Sequence, residues 1–133
     1  MTLQDKYRSV LNLGEKLGVQ DGYVEEADGV LRMGGTADTL RDKDLLWDEI
    51  KRVGGERPTD IEADIKVANT AYYAKHTVER GESLSLIAKD YLGDVMAYKA
   101  IFAANTDTLD DPNKIFPGQE LVIPFPKGRE EDV

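Results

Sequence analysis

The sequence of 133 residues contains no cysteine and a single histidine, His76. Disulfide bonds, thiol catalysis and thiolate or multi-histidine metal sites are therefore excluded. No segment approaches the roughly 20 apolar residues of a membrane-spanning helix. Basic residues are also outnumbered, with 17 Lys+Arg against 26 Asp+Glu, a net charge of −9. Because no basic stripe is available to neutralise phosphates, nucleic acid is not an expected partner.

The first part of the chain, residues 1–68, carries patterns that predict the element order α-β-β-α-β. The predicted elements are a helix over residues 3–17, strands over 23–27 and 30–33, a helix over 39–53 and a strand over 61–67. Apolar residues spaced three and four apart predict the helices, and strict alternation predicts the last strand. Asp28-Gly29 favours a tight hairpin turn, and Gly34-Gly35 is expected to form a turn after the second strand. We predict a small sheet with two helices on one face.

The second part, residues 69–126, predicts the order β-α-α-β, and the short connection between the parts suggests that the two modules pack closely. The predicted elements are a strand over 73–78, a helix from the N-cap Ser83 to Gly93, a helix over 94–105 and a strand over 120–124. The charged residues 127–133 are expected to form a flexible tail. The fold class is therefore α+β, with two small packed modules.

The second part resembles a LysM module. Its motifs are His76-Thr77-Val78, Gly81-Glu82-Ser83-Leu84, Ile87-Ala88, Ala104-Asn105 and Ile115-Phe116-Pro117-Gly118-Gln119. The resemblance implies binding of glycans that contain N-acetylglucosamine, such as peptidoglycan, in a groove between two loops. The residues implied to line that groove are Gly81, Glu82, Ser83, Leu84, Ile115, Phe116, Pro117 and Gly118. The alternative is that these residues only cap a helix and form a turn.

The first part is similar to the BON fold in its element order and in two patches, Ala27-Asp28-Gly29-Val30 and residues 61–67. A BON-like module followed directly by a LysM module resembles a family of small bacterial proteins that bind potassium. The resemblance implies a potassium site made of oxygen ligands. Potassium suits a cage of backbone carbonyls, which leaves almost no side-chain pattern, so the metal-ligating residues stay unknown at this stage.

Other candidate sites have simpler interpretations. The acidic segment 107–113 lacks the spacing of a calcium loop and is expected to be a solvated turn. His76 is expected at the surface or at a strand edge rather than in a catalytic centre. Ser83 lacks the neighbours of a catalytic nucleophile and is expected to cap a helix. Trp47 is expected in the core.

We therefore predict a non-enzymatic ligand-binding protein. Three hypotheses remain open: binding of a glycan by the LysM module, potassium sensing by the whole chain, and service as an assembly adaptor in a phage-tail-like or baseplate complex. No organic cofactor is expected, and K+ is the one candidate ion. A protein partner and the oligomeric state are left open. The N-terminus shows no signal peptide, so the cytoplasm is the expected location, or the cell envelope if a signal was removed.

Overall fold

The computed structural model describes residues 2–133, so Met1, the first residue of the predicted first module, lies outside the described range. The chain divides into two compact units, one reaching Thr70 and the other spanning Ala71–Asp132. Both units combine helices with a β-sheet, which confirms the α+β class. The order of elements in each unit follows the prediction, with local differences that have physical causes.

Within residues 2–70, the first unit contains three helices and three strands. They are α1 (Leu3–Lys6), α2 (Arg8–Lys16), β1 (Gln20–Ala27), β2 (Val30–Ala37), α3 (Leu40–Gly54) and β3 (Ile61–Val67). The predicted single helix over residues 3–17 is thus broken into two. The break falls at Tyr7, whose backbone leaves the helical region (φ −99°, ψ 21°) while its side chain is fully buried. Its hydroxyl donates to Asp60, which precedes β3.

The hairpin between β1 and β2 has the predicted turn. Asp28 and Gly29 both adopt positive φ angles, 55° and 75°, as this tight turn requires. The prediction that Gly34-Gly35 ends the second strand is wrong, since β2 continues to Ala37. A Cβ atom on Gly34 would overlap the Asp64 carbonyl oxygen. Glycine is used there because neighbouring strands approach closely.

The three strands form one sheet in the order β1-β2-β3. β1 pairs antiparallel with β2, and β2 pairs parallel with β3, so α3 provides the crossover between the parallel strands. The core-facing strand residues alternate along β2 and β3, which places the buried cluster on one face of the sheet. The buried cluster consists of Tyr7, Val10, Leu31, Met33, Ala37, Leu46, Ile50, Ile61 and Ile65. Trp47 is partly buried and packs against it, as expected.

The second unit has the predicted β-α-α-β order. Its elements are β4 (Ala74–Thr77), α4 (Leu84–Leu92), α5 (Tyr98–Ala104) and β5 (Glu120–Ile123), with β4 antiparallel to β5. α4 begins after the predicted cap Ser83 and ends at Gly93 in the left-handed conformation. The second predicted helix opens as a 3-10 turn over Val95–Ala97 before α5 begins. Its cap is Asp94, whose carboxylate accepts the Met96 N–H.

Asn105 joins α5 to β5 inside the second unit. Its side-chain amide donates to the carbonyls of Ile101 (2.7 Å) and Val122 (2.8 Å), and its oxygen accepts the Val122 N–H (2.9 Å). Because these three hydrogen bonds pair both the nitrogen and the oxygen of the buried amide, Asn105 stabilises the small core without leaving a polar group unpaired. The charged segment 127–133 contains a 3-10 turn, Glu130–Asp132, with an ion pair between Arg129 and Asp132.

Candidate functional site

Two loops of the second unit lie side by side at one end of the β4–β5 pair. The first loop, residues 79–83, follows β4, and the second, residues 115–119, precedes β5. The second loop is bonded to Val78, the residue before the first loop: Gly118 N–H donates to the Val78 carbonyl and Val78 N–H donates to the Gln119 carbonyl, both at 2.8 Å. The antiparallel pairing of β4 with β5 therefore brings together two segments far apart in sequence.

The first loop is held by its own side chains. Glu82 Oε1 accepts the backbone N–H of Glu79 at 2.6 Å, and the Glu82 N–H donates to the Glu79 carbonyl at 3.2 Å. Ser83 Oγ accepts the Leu86 N–H at 3.2 Å and so caps α4. These bonds leave a short, well-defined turn in front of the helix.

The His76 side chain, which projects from β4, contacts both this loop and α4. Its Nε2 lies 2.8 Å from Glu82 Oε1 and its Nδ1 lies 3.0 Å from the Tyr91 hydroxyl. Only 17% of its side chain is exposed, and among the described residues β4 pairs with β5 alone, so His76 is partly buried and lies on an edge strand, which is one of its two expected placements. Sequence analysis missed this contact because no spacing rule relates a strand histidine to a tyrosine 15 residues further on.

The Glu82 carboxylate accepts hydrogen bonds from both the loop backbone and His76. Burial raises the pKa of Glu82, but the hydrogen bonds from the Glu79 N–H and the His76 ring outweigh burial and leave the pKa below its usual value. The group is therefore ionised at neutral pH. Because Oε1 already receives two hydrogen bonds, the backbone of the loop and the other carboxylate oxygen are what a ligand could contact.

The second loop offers an apolar surface on a rigid turn. The Phe116 N–H donates to Gln119 Oε1 at 2.7 Å, and the Gln119 N–H donates to the Phe116 carbonyl at 3.2 Å. The Phe116 side chain itself is 61% exposed, which is unusual for a residue of this type. Gly118 holds φ at 91°, a conformation that glycine adopts without strain. An exposed aromatic ring beside backbone amides suits a ligand with a flat apolar face and polar edges.

Seven of the eight residues implied to line a groove lie in these two loops, and Leu84 does not. Leu84 begins α4 and is only 2% exposed, so its side chain fills the core of the second unit instead. Ser83 lies in the loop, with its hydroxyl accepting the helix-capping bond. The acidic segment 107–113 forms a turn in which Asp111 accepts the Asn113 N–H at 2.8 Å.

Among the residues that the structure describes, no three His, Asp or Glu side chains are grouped in a way that could hold a metal ion. Within residues 2–133, every helix is too short or too polar to cross a bilayer.

The second unit is matched by a known protein family. The family model for the LysM domain matches residues 76–124, which include both loops and the Asn105 network. An uncharacterized protein of Deinococcus radiodurans is 49% identical over 49 residues, covering 37% of this chain and 19% of that protein. The resemblance of the second unit to a LysM module is confirmed.

A relative that spans both units identifies the family more fully. The potassium binding protein Kbp of Escherichia coli O6:H1 is 31% identical over 124 residues, covering 90% of this chain and 82% of that protein. The chain therefore belongs to the Kbp family. The resemblance to small bacterial proteins of this kind is confirmed, and it rests on both units and not on the LysM domain alone.

Proposed function

We propose that this protein binds potassium ions reversibly and has no catalytic role. The observation that carries the proposal is the similarity to a potassium binding protein over 90% of the chain. The LysM match covers residues 76–124, so a glycan-binding role would account for the second unit only. A function that depends on both units fits the extent of the similarity better.

The charge of the chain supports a cation as ligand. The net charge of −9 gives the surface a negative potential that raises the local concentration of cations. Potassium is a large ion that loses its hydration shell to rings of backbone carbonyls, and its selection over sodium depends on the size and field of such a cage. This kind of site needs no group of acidic side chains.

The test is an amide NMR titration of the full chain in sodium buffer. Potassium chloride is added to one sample, and an equal concentration of sodium chloride is added to a matched control. We expect saturable shifts with potassium that the control lacks, and the residues that shift will locate the cage. Identical spectra in the two salts would refute potassium binding.

A second candidate is binding of an N-acetylglucosamine oligomer at the two loops, which the exposure of Phe116 favours. The ring can lie against the apolar face of a sugar, while loop amides and carbonyls bond to its acetamido group. Glycan binding predicts amide shifts at Glu82, Ser83, Ile115 and Gly118 when a chito-oligosaccharide is added.

The glycan candidate has its own control. Phe116→Ala is expected to abolish the shifts, whereas Met96→Ala removes another exposed apolar side chain, outside the loops, and is expected to leave them intact. Equal binding by both variants would show that the ring is not used. A flat titration of the unaltered protein would remove the glycan candidate without affecting the potassium test.

A further inference from the structure

The first unit contains a groove that none of the functions above uses. It lies between α2 and β1 and has a volume of about 360 Å³. Its floor is formed by core side chains, among them Met33, Leu46 and Ile65. This volume is within the usual range of ligand-binding clefts. No sequence pattern predicts the groove, because its lining residues come from separate elements between Gln4 and Ile65 and include both buried and exposed positions.

The groove runs beside a free edge of the sheet. Within residues 2–133, β1 pairs with β2 alone, so its outer backbone groups have no strand partner. Seven of its eight residues are exposed, including Tyr23 (51%) and Val24 (41%), which line the groove. Proteins commonly protect such edges, and an exposed edge can pair with an extended segment from another chain. A strand added there would direct alternate side chains toward the groove.

A glycine in the wall keeps the groove open. Gly14 lies inside α2, where glycine is less favourable than alanine. The backbone there does not require glycine, and a Cβ atom would meet Leu46 and Val19 at 3.9 Å, an ordinary contact. Packing within the unit therefore gives no reason for the missing side chain. A larger side chain at this position would occupy the groove.

The charges of β1 select among possible occupants. Asp21, Glu25 and Glu26 are all exposed along the strand. Pairing of two copies through this edge would bring like charges together, which disfavours a dimer. A segment with lysine or arginine between apolar residues would instead match the acidic strand and the apolar floor of the groove, whose lining carries one cation, Arg8, and one anion, Glu15.

We propose that the edge of β1 binds an extended basic peptide segment, which adds a fourth strand to the sheet and places an apolar side chain in the groove beside Gly14. The peptide belongs to a partner protein. The interaction combines backbone hydrogen bonds along β1, one apolar anchor and complementary charge.

The probe is a fluorescein-labelled peptide, Lys-Val-Lys-Val-Lys-Val-Lys, titrated with the full chain at ~150 mM salt and followed by anisotropy. Gly14→Leu fills the groove and is expected to weaken binding about tenfold, because the apolar anchor is excluded. Gly14→Ala adds only a methyl group, at an ordinary contact distance from Leu46 and Val19, and is expected to weaken binding far less than the leucine variant does. Trp47 fluorescence confirms that both variants are folded.

Charge and strand pairing are tested separately. Glu25→Lys is expected to weaken binding, whereas Glu56→Lys, the same charge change in an exposed loop, is not. A peptide with proline in place of the central valine cannot extend the strand and is expected not to bind. The proposal would be overturned if Gly14→Leu and Gly14→Ala had equal effects on peptide binding, or if the proline peptide bound as tightly as the original peptide. Concentration-dependent dimerisation through β1 in sedimentation would assign the edge to a second copy instead.

Discussion

The bond between Tyr7 and Asp60 gives the sharpest test of how the first unit is held together. The buried Tyr7 hydroxyl donates to Asp60 Oδ1 at 2.5 Å, and Lys6 Nζ lies 2.5 Å from Asp60 Oδ2. Gly54 is needed beside this hydroxyl, because a Cβ atom there would overlap it. The bond ties the break between α1 and α2 to the residue before β3.

Tyr7→Phe removes this bond and keeps the ring. A hydrogen bond to a charged group contributes about 1.5–3 kcal/mol. The Asp60 side chain is 25% exposed and keeps Lys6 as a partner, so we expect a loss near the lower end, about 1.5 kcal/mol. For a unit of this size the melting temperature should fall by roughly 6–12 °C.

Trp47 makes the measurement specific to the first unit. It is the only tryptophan and packs against the first core, so its fluorescence follows unfolding of that unit. Tyr23→Phe, at an exposed ring of the same unit, is the control and should leave the transition unchanged. If Tyr7→Phe melted at the same temperature as this control, the bond would be shown to add nothing and the reasoning would fail.

The same bond predicts a dependence on pH. Hydrogen bonds from Lys6 and Tyr7 lower the pKa of Asp60, while burial and Asp60 raise the pKa of Tyr7. A carboxylate with a lowered pKa in the folded state stabilises the fold above its ordinary value of 3.8 and loses that contribution as the pH falls through the lowered pKa. The difference between the unaltered protein and Tyr7→Phe is therefore expected at pH 7 and should shrink in acid.

Three further predictions concern other positions. Gly118→Val should destabilise the second unit by about 1–2 kcal/mol through backbone strain alone, since nothing lies within 4 Å of the new Cβ. Hydrogen exchange of the Val78 amide measures this loss of stability, and an unchanged exchange rate would contradict the prediction. Glu82→Gln should reduce the loss of stability of the second unit in acid, because the pKa of Glu82 is lowered in the folded state. Urea titrations followed by circular dichroism at pH 7 and pH 3 compare the variant with the unaltered protein, and an equal pH dependence of their stabilities would refute the role of the charge. Gly34→Ala should destabilise the first unit by about 2 kcal/mol or more, since its Cβ overlaps the Asp64 carbonyl. Thermal unfolding followed by Trp47 fluorescence measures this loss, and an unchanged melting temperature would show that the strands can separate there.

Local patterns predicted those features that depend on neighbours in sequence. Asp28-Gly29 forms the expected turn because its two positive φ angles are a property of the two residues themselves. Ser83 caps α4 because its hydroxyl reaches an N–H three residues on. The alternation over Ile61–Val67 correctly predicted β3, since burial of one face imposes a period of two.

The errors lie where a distant residue decides the outcome. Gly34 suggested a turn, but it lies in β2 because β1 and β3 pack closely around it. The first helix is interrupted at Tyr7, whose buried hydroxyl meets Asp60, 53 residues further on. Leu84 belongs to a motif that suggests a binding groove, yet packing places its side chain in the core.

The sequence by itself determined the α+β class, the order of elements and the LysM motifs, because periodicity, caps and turn residues act over a few positions. Only the tertiary structure decided which of those residues meet. It brought the two loops together through β4 and β5, joined His76 to Glu82 and Tyr91, and opened the groove beside Gly14. These contacts depend on how strands pair and helices pack, and residues distant in the chain leave no pattern of spacing that foretells them.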